Sequence, residues 1–330
     1  MAFEVFHSAE EWVARFGKPR RAAAVTIGNF DGVHRGHQEI LQAVRETAAR
    51  NHWLPAVLTF FPHPLRVLRP AEAPPLLMTL DQRLAAIEAA GIEAVFVLTF
   101  DAALSRFSPE DFVQDLLLDT MNARAVLVGA NFRFGHRQAG NAQTLTELGK
   151  ARGFEVQVVP FVAEAGVTVS STVIRDAIRS GRVEIARRML GRPFALEGEI
   201  GPGTGQGRKL VVPTLNLNTP QELLPKAGVY ATEAVVRGKT YHAATNVGVR
   251  PTFQGHQLAI ESHLLGFNDT LANGKMEVLF WARLRDEQKF SGPEALREQV
   301  LQDIREAQEF FENRQVTTGE PRSLPSTGNR

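Results

Sequence analysis

The sequence predicts two domains of different class: a doubly wound α/β unit built on a parallel sheet, then an antiparallel β-barrel with a C-terminal helix. Three observations predict it. Through the first half, short apolar runs alternate with amphipathic stretches, the pattern of strands covered by helices on both faces. The alternation stops at Gly191-Arg192-Pro193, and turn-separated strands then follow in series. At 330 residues, 44% hydrophobic and 22% charged, the chain is long enough for two separate cores.

In the first half, residues 22–27, 56–60, 94–98, 125–128 and 156–159 read as strands, with helical patterns at 81–90 and 109–119. Two further helices, 172–180 and 183–190, precede the break. Beyond it, residues 195–200, 229–236, 241–247, 258–264 and 276–284 read as strands, followed by a helix over 293–311. The expected domains are therefore 1–190 and 191–312. Residues 313–330, rich in Thr, Ser, Pro and Gly, are expected to form a disordered tail.

Lysine and arginine total 37 against 36 acidic residues, so no global field draws the chain to nucleic acid or anionic lipid, and any anion site is local. The absence of cysteine excludes disulfides, thiolate zinc sites and cysteine nucleophiles, and fits a reducing, cytoplasmic setting. No run approaches the ~20 apolar residues of a membrane span, so neither export nor membrane insertion is expected. Composition does not set the oligomeric state.

The most informative stretch is Val25 to His37, VTIGNFDGVHRGH. An apolar strand ends in the turn residues Gly28, Asn29, Asp31 and Gly32, and a helix is predicted to start near His34. The first turn of such a helix favours an anion through its backbone N–H groups and the positive end of its dipole. Gly32 and Gly36 leave room for close approach. His34 and His37, three apart, are expected on one helix face, with N–H groups aimed at phosphoryl oxygens whose charge grows in the transition state. Half of a metal site or a solvated face are alternatives for such a pair.

Three further segments follow strands or open a helix, so the fold carries them to the same rim. Phe60-Phe61-Pro62-His63-Pro64 is a stiff loop that presents aromatic surface, or a plain rigid turn. Gly129 to Gly135 joins Asn131 and Arg133 to two aromatics. Ser170-Ser171-Thr172 reads as ordinary helix capping, but Arg175 in the first turn opposes the helix dipole unless an anion compensates it.

GNFDGVHRGH resembles the HxGH signature of nucleotidylyltransferases, in the form found in the adenylyltransferase half of bacterial bifunctional riboflavin kinase/FAD synthetases. SSTxIR is similar to the second phosphate motif of the same class, and the pattern spans residues of about 23 to 190. The resemblance implies transfer of AMP from ATP to FMN, giving FAD and pyrophosphate. It places His34 and His37 at the transition state. It implies nucleotide contacts for Gly28, Phe30, Asp31, Gly36, Asn131, Ser171, Thr172 and Arg175, and flavin contacts for Phe61, Pro62 and His63.

The second half opens with GEIGPGTGQGRKLVVPTLN from Gly198 to Asn216, with five glycines in its first ten residues. Such a loop can wrap phosphate, with Gly203, Gly205 and Lys209 as candidate nucleotide contacts, or it is a flexible turn. Thr214 and Asn216 offer two hard oxygens suited to Mg²⁺ when phosphate completes its shell. In the run 258–264, alternation sets Leu258, Ile260 and Leu264 on one face and Glu261 with His263 on the other. Glu261 is either solvated or, in a closed cavity, a general base.

PTLN, Gly228-Val229-Tyr230, Asn246 to Phe253, Ile260-Glu261-Ser262-His263 and Leu284-Arg285 to Lys289-Phe290 together resemble riboflavin kinase. The resemblance implies Mg²⁺ and ATP phosphates at Thr214 and Asn216, Arg250 at the flavin, and Glu261 taking the proton of the riboflavin 5′-hydroxyl. The chain departs from the commoner GfPTAN form, with Val211-Val212 before Pro213 and Leu215 for alanine. Two alternatives stay open at this level: adenylyl transfer alone with an impaired kinase site, and a flavin-binding regulator without turnover.

Overall fold

The computed structural model describes residues 3–18, 20–201, 212–252, 255–269 and 271–318. Contacts divide it into two compact units, residues 1–173 with 189–191, and residues 174–188 with 192–330.

The first unit is built on six parallel strands: β1 (Glu4–Phe6), β2 (Ala23–Ile27), β3 (Leu54–Phe61), β4 (Ala94–Thr99), β5 (Ala123–Gly129) and β6 (Glu155–Val159), ordered β1-β4-β3-β2-β5-β6. Alternate side chains feed two cores. Ala23, Val25, Ile27, Ala56 and Leu58 pack on one face, and Ala24, Val57, Val95 and Leu127 meet Leu41, Val44 and Ile87 on the other. Burial on both faces is why these strands read as unbroken apolar runs. The order reverses at β2, whose neighbours β3 and β5 lead to opposite edges. In such sheets ligands collect beyond the strand C-termini at that reversal.

All five runs read as strands from the sequence occur within one or two residues of their expected ends. The edge strand β1 was not expected. Three residues are too short for period 2 to show, and the strand is recruited by pairing with β4.

The second unit is a closed antiparallel barrel of β7 (Phe194–Gly201), β8 (Leu215–Asn218), β9 (Gly228–Val236), β10 (Lys239–Thr252), β11 (Gly255–Leu264) and β12 (Lys275–Asp286), ordered β7-β8-β11-β10-β9-β12. Strand β8 carries Asn216 within the stretch that the sequence presents as a loop. Its pairing with β7 and β11 closes the barrel. Residues Ile174 to Arg188, placed in the first domain by the sequence reading, group with the barrel by contact. Glu184 accepts the Arg283 backbone N–H at 2.8 Å, and Arg187 lies over the Trp281 ring.

The C-terminal helix runs from Pro293 to Thr318, seven residues beyond its expected end, so residues 313–318 are helical rather than disordered. Arg314 explains part of the extension, since its guanidinium lies 3.5 Å from the centre of the Trp281 ring. The rest of the expected tail, 319–330, lies outside the described residues. The helix packs Ala307 and Phe311 on Ala231, Ala244 and Ala282 of the barrel. Arg285 and Asp303 lock it through two parallel hydrogen bonds of 2.7 Å, with Asp303 only 4% exposed. Asp303→Asn breaks this fork and is expected to cost about 3 kcal/mol, read as a lower denaturant midpoint for the barrel. No helix among the described residues is long and apolar enough to cross a membrane.

Candidate active sites

The VTIGNFDGVHRGH turn lies at the C-terminal end of β2, at the sheet reversal. His34 is the N-cap of the helix Arg35–Asn51 rather than a member of it, and its Nδ1 accepts the backbone N–H of His37 at 3.3 Å. That bond leaves the proton of the neutral ring on Nε2. One first-turn amide expected to face an anion is thus taken by the protein itself. The two imidazoles stack with centres 3.7 Å apart and planes 13° from parallel, and Phe30 backs His37 at 5.0 Å. Burial, then His34, then Arg83 hold the His37 imidazole well below its usual range, so it is a neutral N–H donor near neutral pH.

Gly36 permits this stack, because a Cβ there would lie 3.3 Å from the His34 ring. Gly36→Val is expected to displace that ring, read as shifted His34 and His37 ring resonances in the NMR spectrum of the folded chain. Gly32 has φ +88°, and a Cβ there would sit 2.6 Å from Leu77, so the turn requires glycine.

Several residues expected to touch nucleotide or flavin also make contacts within the protein frame. Phe30 is 1% exposed and packs in the core, against the space above Gly28. Asp31 is buried, and its carboxylate accepts the Leu77 backbone N–H at 2.9 Å. Ser171 donates to the Asp31 carbonyl at 2.9 Å, tying the two motifs together. Ser170 caps Val173 at 3.4 Å, leaving the exposed Thr172 as the outward hydroxyl of the motif. Arg175 is buried one turn along the same helix. His63 is also buried. Its Nδ1 accepts from the Leu65 N–H at 3.2 Å, capping a short helix, and its Nε2 lies 3.3 Å from the Asn29 carboxamide. Phe61, at 44% exposure, presents the open aromatic surface, with Pro62 following it. Asn131 is exposed in the turn after β5, the strand paired with β2.

The sequence reading missed Arg83, which is 1% exposed on the helix Leu80–Ala89. Its signal was an arginine inside the apolar stripe Leu80, Leu84, Ile87.

In the barrel, cross-strand register assembles the second site. Glu261 on β11 stands opposite Asn216 on β8 and opposite Asn246 on β10, which sets one carboxylate between two carboxamides across three strands. Directly opposed residues share a face with Cβ atoms about 5 Å apart. The opposite face of β11 is interior: Ile260, Ser262 and Leu264 are buried, and Ser262 joins a hydroxyl chain through Thr245 (2.8 Å) to Thr232 (2.6 Å). Leu215 pairs with Ser262 and is itself buried, so the unusual leucine of PTLN goes into the core and away from Glu261. His263 donates from Nδ1 to the Pro213 carbonyl at 2.8 Å, holding the residue before Thr214. Asn246 is the second residue the sequence reading did not single out. Gly203, Gly205 and Lys209 lie outside the described residues, as does the side chain of Arg250, whose backbone pairs with Gln257.

No group of three His, Cys, Asp or Glu among the described residues could cage a metal. Thr214 and Asn216 are neutral hard-oxygen donors, which suit a divalent ion that arrives largely liganded by phosphate.

Residues 17–173 match the family model for FAD synthetase, and residues 190–311 match that for riboflavin kinase. The bifunctional riboflavin kinase/FMN adenylyltransferase of Escherichia coli K12 is 33% identical over 89% of this chain and 94% of its own. The protein of the same description from Pseudomonas fluorescens is 36% identical over 86% and 91%, and that of Bacillus subtilis 32% identical over 88% and 93%. A crystal structure described as a macrolide-efflux protein from Streptococcus pneumoniae matches the fold with a TM-score of 0.81 at 26% identity, covering 92% of this chain and 97% of that one. Two family models in series and identity along nearly the whole length leave one conclusion: the chain belongs to the bifunctional riboflavin kinase/FMN adenylyltransferase family.

Proposed function

We propose that the histidine pair at the sheet reversal and the barrel carboxylate Glu261 are the two reaction centres of this chain. Residues 1–190 are assigned to adenylyl transfer and 191–312 to phosphorylation. The enzyme is a transferase that converts riboflavin to FMN and FMN to FAD, with ATP as co-substrate in both steps. The observation that carries the site assignment is the separation of chemistries: stacked imidazoles after β2 in one unit, and a carboxylate between two carboxamides in the other.

In the barrel, the riboflavin 5′-hydroxyl attacks the γ-phosphorus of ATP, its proton passes to Glu261, and the bond to the β–γ bridging oxygen breaks to release ADP. Thr214 and Asn216 would hold Mg²⁺, which when bound neutralises phosphate charge. His263 sets the Pro213-Thr214 backbone from beside them. Gly203, Gly205 and Lys209 are assigned to the ATP phosphates and Arg250 to the flavin, on the strength of the motif alone. In the α/β unit, a phosphate oxygen of FMN attacks the α-phosphorus of ATP and pyrophosphate leaves. His34 and His37 donate N–H groups to the charge that accumulates on the transferred phosphoryl oxygens. Thr172 and Arg175 extend the phosphate contacts, Asn131 holds the nucleotide, and Phe61 with Pro62 faces the flavin, while Gly28, Gly36, Phe30, Asp31, Ser171 and His63 hold these groups in place. A cysteine-free chain of this chemistry suits the cytoplasm.

The test is incubation of the full chain with riboflavin and MgATP, with FMN and FAD resolved by chromatography. FMN is expected first and FAD after it. FMN fed alone with MgATP is expected to give FAD. Failure to make FMN while converting added FMN would leave adenylyl transfer as the single activity, and formation of neither product would leave a binding protein.

A further inference from the structure

Among the described residues, Arg83 is the one buried arginine or lysine of the first unit that the proposed chemistry leaves unused. Its guanidinium donates from Nη1 to the Phe60 carbonyl at 3.2 Å and reaches Thr59 Oγ1 at 3.5 Å. Thr59 in turn contacts the Asn29 carbonyl at 3.5 Å, and Leu77, three residues before the Arg83 helix, donates to Asp31. The arginine therefore stands where the end of β3, which leads into the exposed Phe61, meets the turn that leads into His34 and His37. Its Nε and Nη2 are buried without a hydrogen-bond partner among the described residues.

A guanidinium placed so is costly, and a leucine or methionine of similar length would fill the space without desolvating a charge. Two of its bonds explain a cross-brace between strand ends. They do not explain a charge, since a neutral donor would serve. The charge has two electrostatic neighbours, Asp31, which favours it, and His37, which it disfavours as a cation. The titratable and charged groups about His37 are then His34, stacked on it from the cap position, and Arg83 from the helix Leu80–Ala89, with Asp31 in the field of Arg83.

We propose that Arg83 is a positioning residue for adenylyl transfer, bracing the flavin-side strand end against the histidine turn and keeping a fixed positive charge beside His37. The brace sets the distance between the FMN-side loop and the imidazoles. The fixed charge adds to burial and to His34 in keeping His37 a neutral hydrogen-bond donor, and it adds a preorganised field, in a low-dielectric site, where negative charge develops. The inference rests on the assignment of His37 to this reaction.

The test compares Arg83→Met, which keeps the length and removes the charge, with Arg83→Lys, which keeps the charge and loses the fork. Both are made in the full chain. FMN-to-FAD conversion, riboflavin phosphorylation, and the NMR titration of the His37 Hε1 resonance are measured on each. Arg83→Met is expected to lower the adenylyl-transfer kcat by about tenfold or more, to leave phosphorylation unchanged, and to raise the His37 midpoint. Arg83→Lys is expected to keep the wild-type His37 midpoint and to recover part of kcat. A folded Met variant with wild-type kcat, or with an unmoved His37 midpoint, overturns the proposal. Should the Met variant lose the native resonances of the first unit, the Lys variant decides: a raised midpoint there overturns it equally. His37→Ala in parallel separates the two levels, because a His37 variant of wild-type rate overturns the site assignment itself, whatever Arg83 does.

Discussion

Glu261→Gln is expected to slow riboflavin phosphorylation by ~10²- to 10⁴-fold, the usual contribution of a positioned general base, with FMN adenylylation unchanged in the same preparation. The substitution keeps volume and reach and removes the negative charge together with the ability to take a proton. The frame around it is independent of the charge: β11 is held by its ladders to β8 and β10, and by the buried hydroxyl chain on its interior face. Asn216 and Asn246 stand opposite position 261 in the two ladders, and a carboxamide can partner an amide as well as a carboxylate. The loss should therefore fall on kcat, with KM for riboflavin nearly constant. Separate assays of the two steps, each followed by chromatography of FMN and FAD, check this. A Gln variant that phosphorylates at the wild-type rate removes Glu261 from the proton transfer. One that loses both activities while folded removes the two-site assignment.

What the sequence made legible follows from how much of each element is a local property. The parallel strands are buried on both faces, so Ala23–Ile27 and Ala94–Thr99 announce themselves as apolar runs without help from neighbours. Strand Leu215–Asn218 does not, because four residues after a proline look like a loop until two neighbours pair with them. That pairing also settles the odd leucine of PTLN. Read along the chain, Leu215 is a departure from the commoner motif between Thr214 and Asn216; read across the sheet, it shares a face with buried Ser262 and leaves the Glu261 face alone. The first motif shows the same limit. Spacing placed His34 and His37 near a helix start, but it could not tell that His34 caps the helix and stacks on His37, nor that Asp31, Phe30 and His63 spend their side chains inside the frame. Arg83 was missed because an arginine in an amphipathic helix is ordinarily on the solvent side, although its place in the stripe Leu80, Leu84, Ile87 points to the buried side that packing shows.

His37→Ala is expected to reverse the pattern of Glu261→Gln: FMN adenylylation falls by about 10²- to 10³-fold, the cost of removing one donor from a transition-state clamp, and riboflavin phosphorylation is retained. His37 is the cleaner of the two histidines to remove, since His34 also caps the helix and its loss would confound catalysis with stability. The pH dependence tests the protonation state independently. With its folded-state pKa depressed by burial, His34 and Arg83, His37 stays neutral below the ordinary histidine range. The imidazole's contribution is then present above pH 6.5, and persists below it, being lost only as pH falls through the depressed value. The linkage has the same sign for stability: the unfolded chain binds the proton first, so the folded unit weakens as pH drops below the unfolded histidine value. The adenylyl-transfer rate should therefore show no inflection near pH 6.5 that depends on His37. An inflection there in the native enzyme that His37→Ala abolishes would mean that the charged imidazole is the working form, and that the clamp acts as a cation rather than as a neutral donor.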